Sequence, residues 1–215
     1  NGTVKKTDMS QFARQRSVGL RALELEEGDW LVGTAVTDGS CDIMLFSSEG
    51  KAVRFPEDAV RAMGRTAKGV RGIRLADDHR LISLIVPAEG GELLTVSENG
   101  YGKRTAINDF PIKGRGTKGV IAMATTQRNG PLVGAEQVFE GDEMMLISDQ
   151  GTAVRTRVDE VSVLGRNTQG VRVIRTRSDE KLVSVSRIAK DDAAVAIDAP
   201  AAEETAEAPE PDAQD

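Results

Sequence analysis

The sequence predicts an all-β fold of four repeated sheets, and two recurrences carry that prediction. A turn glycine appears in each of four similar stretches: NGTVKKT from Asn1, EGKAVRF from Glu49, NGYGKRT from Asn99 and QGTAVRT from Gln150. These glycines, Gly2, Gly50, Gly100 and Gly151, stand 48, 50 and 51 residues apart. A second glycine, in SVGLRAL, AKGVRGI, TKGVIAM and TQGVRVI, falls at Gly19, Gly69, Gly119 and Gly170, spaced 50, 50 and 51. Two independent markers sharing one period indicate a repeat architecture. The units run over about 1–41, 42–91, 92–142 and 143–190.

Each unit reads as β because Val/Ile/Leu runs of five to seven residues are separated by Gly, Asn, Asp and Pro. The first unit opens on the hairpin turn Asn1-Gly2, whose upstream strand is not in the sequence, so the expectation is a piece of a larger array. In the second unit, DIMLF (42–46), KAVRF (51–55), GVRGIRL (69–75) and LISLIV (81–86) read as four strands of one sheet. ELLTV (92–96), GKRTAI (102–107), GVIAM (119–123) and LVGAEQV (132–138) repeat the pattern in the third. The middle segments, PEDAVRAMGRTAK, DFPIKGRGTK and EVSVLGRNTQ, are polar and Gly-rich, hence loops, with a short helical turn expected over 56–63. Units of this size with four strands match propeller blades, whose radial repetition protects sheet edges.

Charge divides the chain in two. Of 28 basic and 34 acidic residues, nine acids and no Lys or Arg lie in 191–215, which leaves residues 1–190 a net charge of +3. The 191–215 tail, rich in Ala, Pro and Glu, has too little apolar surface to offset the entropy of ordering and is expected to be disordered. No run approaches the ~18 apolar residues of a membrane span, and no secretory leader opens the sequence, so a cytoplasmic, membrane-free protein is expected. One Cys and one His, Cys41 and His79, exclude a disulfide framework or a Cys/His zinc site. Cys41 is expected in a strand and His79, in ADDHR, on a solvated loop. Tyr101 is expected to pack in its hairpin turn, and no residue combination suggests catalysis, a metal or a bound cofactor.

The cations are periodic. The fourth residue after each turn glycine is Lys6, Arg54, Arg104 or Arg155. A Gly-Arg pair recurs at Arg65, Arg115 and Arg166, with Arg16 at the corresponding place of the first unit, and Lys68 and Lys118 follow in the same loops. Arg21, Arg71 and Arg172 come two residues after the second glycine, where Ile121 breaks the series, and Arg74 and Arg175 follow. In a radial array equal phase means equal position on successive sheets, so these residues predict a basic stripe around one rim. A curved basic stripe suits a bent polyanion such as duplex DNA, bound through phosphates and released counterions. Aromatic residues make up 3% of the chain, too few for a stacking platform on single strands.

The stretches DIMLFSSEGKAVRFPEDAVRAMGRTAKGVRGIRL, ENGYGKRTAINDFP and TAVRTRVDEVSVLGRNTQGVRVIRT resemble the C-terminal domain of the gyrase A protein, one of the two components of bacterial DNA gyrase, and the resemblance covers about residues 1–190. It implies a six-bladed β-pinwheel in which neighbouring blades exchange strands, with about four blades here and two before Asn1. It further implies wrapping of double-stranded DNA for delivery to a cleavage core, in an A2B2 assembly with the gyrase B protein that uses ATP and Mg2+ elsewhere. The family's Gln-Arg-Arg-Gly-Gly-Arg-Gly box does not occur in the sequence; GRTAKG, KGRGTKG and GRNTQG occupy the equivalent loops. The DNA-binding candidates are Lys6, Arg16, Arg54, Arg65, Lys68, Arg104, Arg115, Lys118, Arg155 and Arg166. The alternatives are the related topoisomerase IV domain and a propeller that docks an acidic protein.

Overall fold

The structure, a computed structural model, describes residues 1–14, 17–177 and 179–190; the expectations for Arg16 and for the 191–215 tail lie outside them. The described residues form thirteen strands: β1 (Thr3–Val4), β2 (Asp42–Ser47), β3 (Lys51–Pro56), β4 (Val70–Arg71), β5 (Leu81–Ile85), β6 (Glu92–Ser97), β7 (Tyr101–Ala106), β8 (Val120–Ile121), β9 (Leu132–Val138), β10 (Glu143–Ser148), β11 (Ala153–Arg157), β12 (Val171–Arg172) and β13 (Leu182–Ile188). The expected helical turn is a 3₁₀ segment, Glu57–Ala59, repeated at Ile107–Asp109 and Val158–Glu160.

The strands pair antiparallel in sheets ordered β5-β2-β3-β8, β12-β7-β6-β9, β11-β10-β13 and β1-β4. Three of the four strands expected in each sheet stay together. The short strand carrying the second glycine does not: β8 of the third unit pairs with β3 of the second, and β12 of the fourth with β7 of the third. In the same way β4 pairs with β1. Reading consecutive strands as one sheet is corrected here, and the observed exchange is the one the pinwheel resemblance implies. The physical reason is local. The polar loop between second and third strands is too long for a hairpin, and it carries the chain back to the preceding sheet before the fourth strand returns.

The turn glycine makes this exchange possible. Gly50 has φ +86° and Gly100 φ +79°, values that L side chains rarely adopt. The Gly50 carbonyl accepts the amides of Ala122 (2.8 Å) and Met123 (3.1 Å), and the Gly100 carbonyl those of Val173 (2.9 Å) and Ile174 (3.3 Å). Gly2 does the same for Gly72 and Ile73. A Cβ on Gly100 would stand 2.5 Å from the Ile174 carbonyl oxygen, so the following unit closes directly on the turn.

Apolar residues fill the spaces between sheets. Met44, Phe46, Ile85, Leu93 and Phe110 pack between the second and third sheets, with the Phe46 and Phe110 rings edge-on at 6.2 Å. Leu94, Val96, Met144, Leu146, Val158 and Val185 fill the next space. Strand β9 packs against both β5 and β13, so the sheets converge along that edge and splay at the edge of β8 and β12. The loops and cations of interest lie on the splayed side.

Candidate nucleic-acid interface

The periodic cations separate into two groups. Those four residues after the turn glycine are fasteners. Arg54 meets Asp42 at 2.8 Å and donates to the carbonyls of Ile107 (3.2 Å) and Phe110 (3.4 Å). Arg104 meets Glu92 at 2.8 Å and donates to Val161 (2.8 Å) and Asp159 (3.5 Å). Lys6 donates to the Glu57 carbonyl at 3.0 Å and pairs with the buried Glu57 carboxylate at 3.4 Å. In each case the cation reaches the 3₁₀ segment of the next unit. Arg155 bonds Glu143 at 2.6 Å, and no following unit lies among the described residues to receive it. The side chains of Arg54 and Arg104 are each 16% exposed, that of Arg155 38%.

The acids in these pairs are absent from the sequence-based expectations, although the sequence contains their signal. Asp42, Glu92 and Glu143 open the first strand of three units and precede the arginine by 12 residues each time. Antiparallel register places them diagonally across the hairpin, since Met44, Leu94 and Met145 are the direct partners of Arg54, Arg104 and Arg155.

Two further cations, the buried Lys103 and the half-buried Lys5, anchor the loops of the next unit. Lys103 is fully enclosed and donates to the carbonyls of Gly165 and Arg166, anchoring the GRNTQG loop, while Thr105 Oγ1 donates to Leu164 at 2.9 Å. The Lys103 pKa is lowered to about 8, chiefly by burial and then by the nearby Arg166, with Asp109 opposing. Lys5 holds the carbonyls of Ala22 and Arg65 in the same manner.

The loop cations form the other group. Arg65, Arg115 and Arg166 are half-buried and donate to the carbonyls of Arg21 (3.3 Å), Arg71 (3.1 Å) and Ile121 (2.9 Å) on the preceding unit's outer segment. Each loop is thereby laid along that segment. Arg74 N donates to the Thr117 carbonyl at 2.8 Å and Ala124 N to that of Thr168 at 3.0 Å. Lys68 is 63% exposed, 3.9 Å from Glu26, and Lys118 is exposed. The junction of the second and third units thus brings Arg71, Arg74, Lys113, Arg115 and Lys118 onto one outer surface, with no ion pair to an acid among the described residues. At the next junction the corresponding outer residues are Ile121 and Ala124, leaving Arg166 from that group.

The break at Ile121 has a partial remedy. Lys51 is its direct cross-strand partner, as Thr3 is of Arg71 and Tyr101 of Arg172, so that a cation stands at this sheet position in all three pairs. Lys51 also meets Glu49 at 2.6 Å. Two further residues differ from expectation. His79 is half-buried and bonds Ser48 Oγ at 3.1 Å, because the loop folds over the hairpin turn of its own sheet. Cys41 lies one residue before β2, its thiol 3.3 Å from Asp38.

Asp38, Cys41 and Glu57 present ligand atoms within 4.8 Å of one another. The Glu57 carboxylate is already engaged by Lys6 and by the Gly39 amide, so the group reads as a polar tie between segments. No helix among the described residues is long and apolar enough to cross a membrane.

Comparison with known proteins gives a consistent picture. The family described as "DNA gyrase C-terminal domain, beta-propeller" matches residues 1–38, 42–88, 91–138 and 142–189. The DNA gyrase A protein of Pseudomonas aeruginosa is 58% identical over 206 residues, covering 96% of this chain and 22% of the relative. The DNA gyrase A protein of Escherichia coli is 52% identical over 219 residues, covering 100% and 25%. The chain therefore spans about a quarter of the length of these relatives. A solved DNA gyrase A C-terminal domain superposes with a TM-score of 0.77 at 28% identity, over 87% of this chain and 63% of that one. The C-terminal domain of a DNA topoisomerase IV superposes at 0.83 with 23% identity, over 92% and 63%, a likeness of fold.

Proposed function

Because the chain belongs to the DNA gyrase C-terminal domain family, we propose that it binds duplex DNA through the phosphate backbone, without reading sequence, and bends it along the splayed edge of the pinwheel. The observation that carries this reading is the group at the junction of the second and third units, where loop 113–118 lies on the outer segment of the preceding sheet and brings the exposed Arg71, Arg74, Lys113 and Lys118 together with the half-buried Arg115. Phosphate contacts position a duplex and carry no sequence information, and specificity then comes from DNA bendability.

Within this reading the candidates divide by their partners. Lys68, Arg65, Arg115, Lys118 and Arg166 supply phosphate contacts, with Arg16 of the same loop series. Lys6, Arg54 and Arg104 contribute by fixing the spacing of the sheets that present those loops, and Arg155 by bracing its own hairpin through Glu143. Arg54, Arg104 and Arg155 are each paired with a carboxylate that already offsets their charge, whereas the loop arginines donate only to neutral carbonyls and keep a net positive charge for phosphate. In the whole protein this domain would wrap DNA and feed it to the cleavage core of the gyrase A protein, working with the gyrase B protein in an A2B2 assembly during ATP-dependent negative supercoiling in the bacterial cytoplasm. The repeats would form one domain over 1–190.

Fluorescence anisotropy with plain duplex DNA tests the proposal. If ~6–10 phosphates are contacted, affinity falls about 10³- to 10⁵-fold between 50 and 200 mM salt. A flat salt response, or no binding at low salt, refutes it and favours a domain that docks protein.

A further inference from the structure

Tyr101 is the single tyrosine of the chain, and two arginines from different units converge on it. Arg128 Nε lies 3.2 Å and Arg172 Nη2 2.8 Å from the phenol oxygen, and both guanidinium carbons sit over the ring, 5.0 and 5.1 Å from its centroid. The phenol ring is buried with Met123 and Leu132, whereas both arginines are exposed. A ring held in the core fixes two exposed cations by cation–π attraction and by a shared acceptor.

The arrangement is preorganised from several sides. Arg172 lies in β12 directly opposite Tyr101. Arg128 lies in the loop TTQRNG, which is pinned by the fully buried Asn129. Asn129 donates to the carbonyls of Ala124 (2.9 Å) and Gln169 (3.3 Å) and accepts from Thr126 N at 2.7 Å. Asn99 donates to the Arg128 carbonyl at 3.1 Å. No other unit repeats this pair: the residue 50 positions before Arg128 is Asp78, and Thr3 and Lys51 stand where Tyr101 does.

Unlike Arg54 and Arg104, neither arginine forms an ion pair with an acid among the described residues. Each uses one arm of its donor fork on the phenol, and the remaining N–H groups face water. Two like charges gathered around one oxygen, with no carboxylate to offset them, favour an anion that accepts from both. The phenol responds to the same field, its pKa drawn below the ordinary tyrosine value by the hydrogen bond from Arg172, then by that from Arg128.

We propose that Arg128 and Arg172, held on the Tyr101 ring, form a two-pronged seat for a single backbone phosphate of duplex DNA. The inference rests on the DNA-binding reading above and extends it to residues outside the loop series. The seat stands at the junction of the third and fourth units, where the outer segment itself offers Ile121 and Ala124 in place of cations. It would carry the path of the duplex across that weaker stretch.

Duplex binding measured by anisotropy over a series of salt concentrations separates the possibilities. Arg128→Gln with Arg172→Gln is expected to weaken binding about ten-fold at 100 mM salt and to lower the slope of log K against log[salt] by about 0.9, the share of one B-DNA phosphate. Either single substitution should cost about two- to three-fold and leave most of the slope, because the remaining guanidinium still neutralises the phosphate. The double lysine variant, Arg128→Lys with Arg172→Lys, keeps the charge and should retain the slope, which guards against a fold defect in the glutamine pair. A salt-dependent wild type whose glutamine double variant binds unchanged overturns the seat alone. A slope reduction of about 1.8 overturns it too, since each arginine would then hold its own phosphate. A wild type with no salt-dependent binding overturns the DNA reading and the seat with it.

Discussion

Arg54 sits 2.8 Å from Asp42 on its own hairpin while its guanidinium donates to Ile107 and Phe110 on the next unit. One side chain joins a hairpin to the unit that follows it. Arg54→Met would leave a half-buried Asp42 without its partner and two carbonyls without their donor, and should lower stability by about 1–3 kcal/mol. Arg155→Met removes a more exposed pair and should cost less than about 1 kcal/mol. Urea unfolding compares them; equal costs would show that the link to the next unit contributes nothing.

The division of cations predicts different behaviour on DNA. Lys118→Ala should lower the salt slope of duplex binding by about 0.9, as the loss of one phosphate contact. Arg104→Met should leave the slope unchanged under conditions where the variant is folded. Titrations over a range of salt concentrations distinguish the two, and a slope that falls with Arg104→Met would place the hairpin cations on phosphate after all.

Glycine at the turn is required twice over at Gly100. Alanine there would adopt an unfavourable positive φ and press its Cβ against the Ile174 carbonyl, so Gly100→Ala should cost about 2–4 kcal/mol. Gly151 has a similar φ, +82°, but a Cβ on it would meet nothing within 4 Å. Gly151→Ala should therefore cost only about 1 kcal/mol. Thermal or urea unfolding of the pair isolates the contribution of the strand received from the next unit.

Lys103 makes stability depend on pH in an unusual direction. Its pKa is about 8 in the fold against 10.5 for an ordinary lysine. Between those values the unfolded chain holds a proton that the folded chain has released, so the contribution of this group to stability rises with pH across that window. Relative to Lys103→Met, the wild type should gain on the order of 3 kcal/mol or less between about pH 7.5 and 10.5. Unfolding midpoints of both proteins over that range test this; parallel profiles would mean that Lys103 titrates normally.

The period, the strand content and the turns were legible because each depends on neighbouring residues: a glycine where φ must be positive, and short apolar runs between polar breaks. Strand exchange was not legible from pattern alone, since Val120–Ile121 looks the same whether it pairs within its unit or with Lys51 and Ala52 of the unit before. The distinction lies in the geometry of a 13-residue loop, 57–69, and its equivalents. The cation series was visible, but sequence phase does not tell a solvated rim from a clasp. The diagonal acids Asp42, Glu92 and Glu143 carry that information, at a fixed separation from Arg54, Arg104 and Arg155. The Arg128–Tyr101–Arg172 cluster was only partly legible: Arg172 belongs to the series with Arg21 and Arg71, but Tyr101 and Arg128 have no counterparts at the matching positions of the second unit, which are Lys51 and Asp78.

The donated outer strand also constrains how such arrays can change in length. With β8 finishing the sheet that begins at β2, and β12 the sheet that begins at β6, the repeat in the sequence is offset from the sheet that folds. Loss or gain of one whole period within the array leaves every sheet with a neighbour of the right kind on both sides. A deletion that removes a strand without the rest of its period leaves one edge bare and one clasp empty, whereas loops absorb changes of a residue or two, as the spacings of 48, 50 and 51 show. The number of sheets in such an array therefore changes in whole steps, and a viable junction between two parental arrays can fall at any point of the repeat so long as the phase is kept.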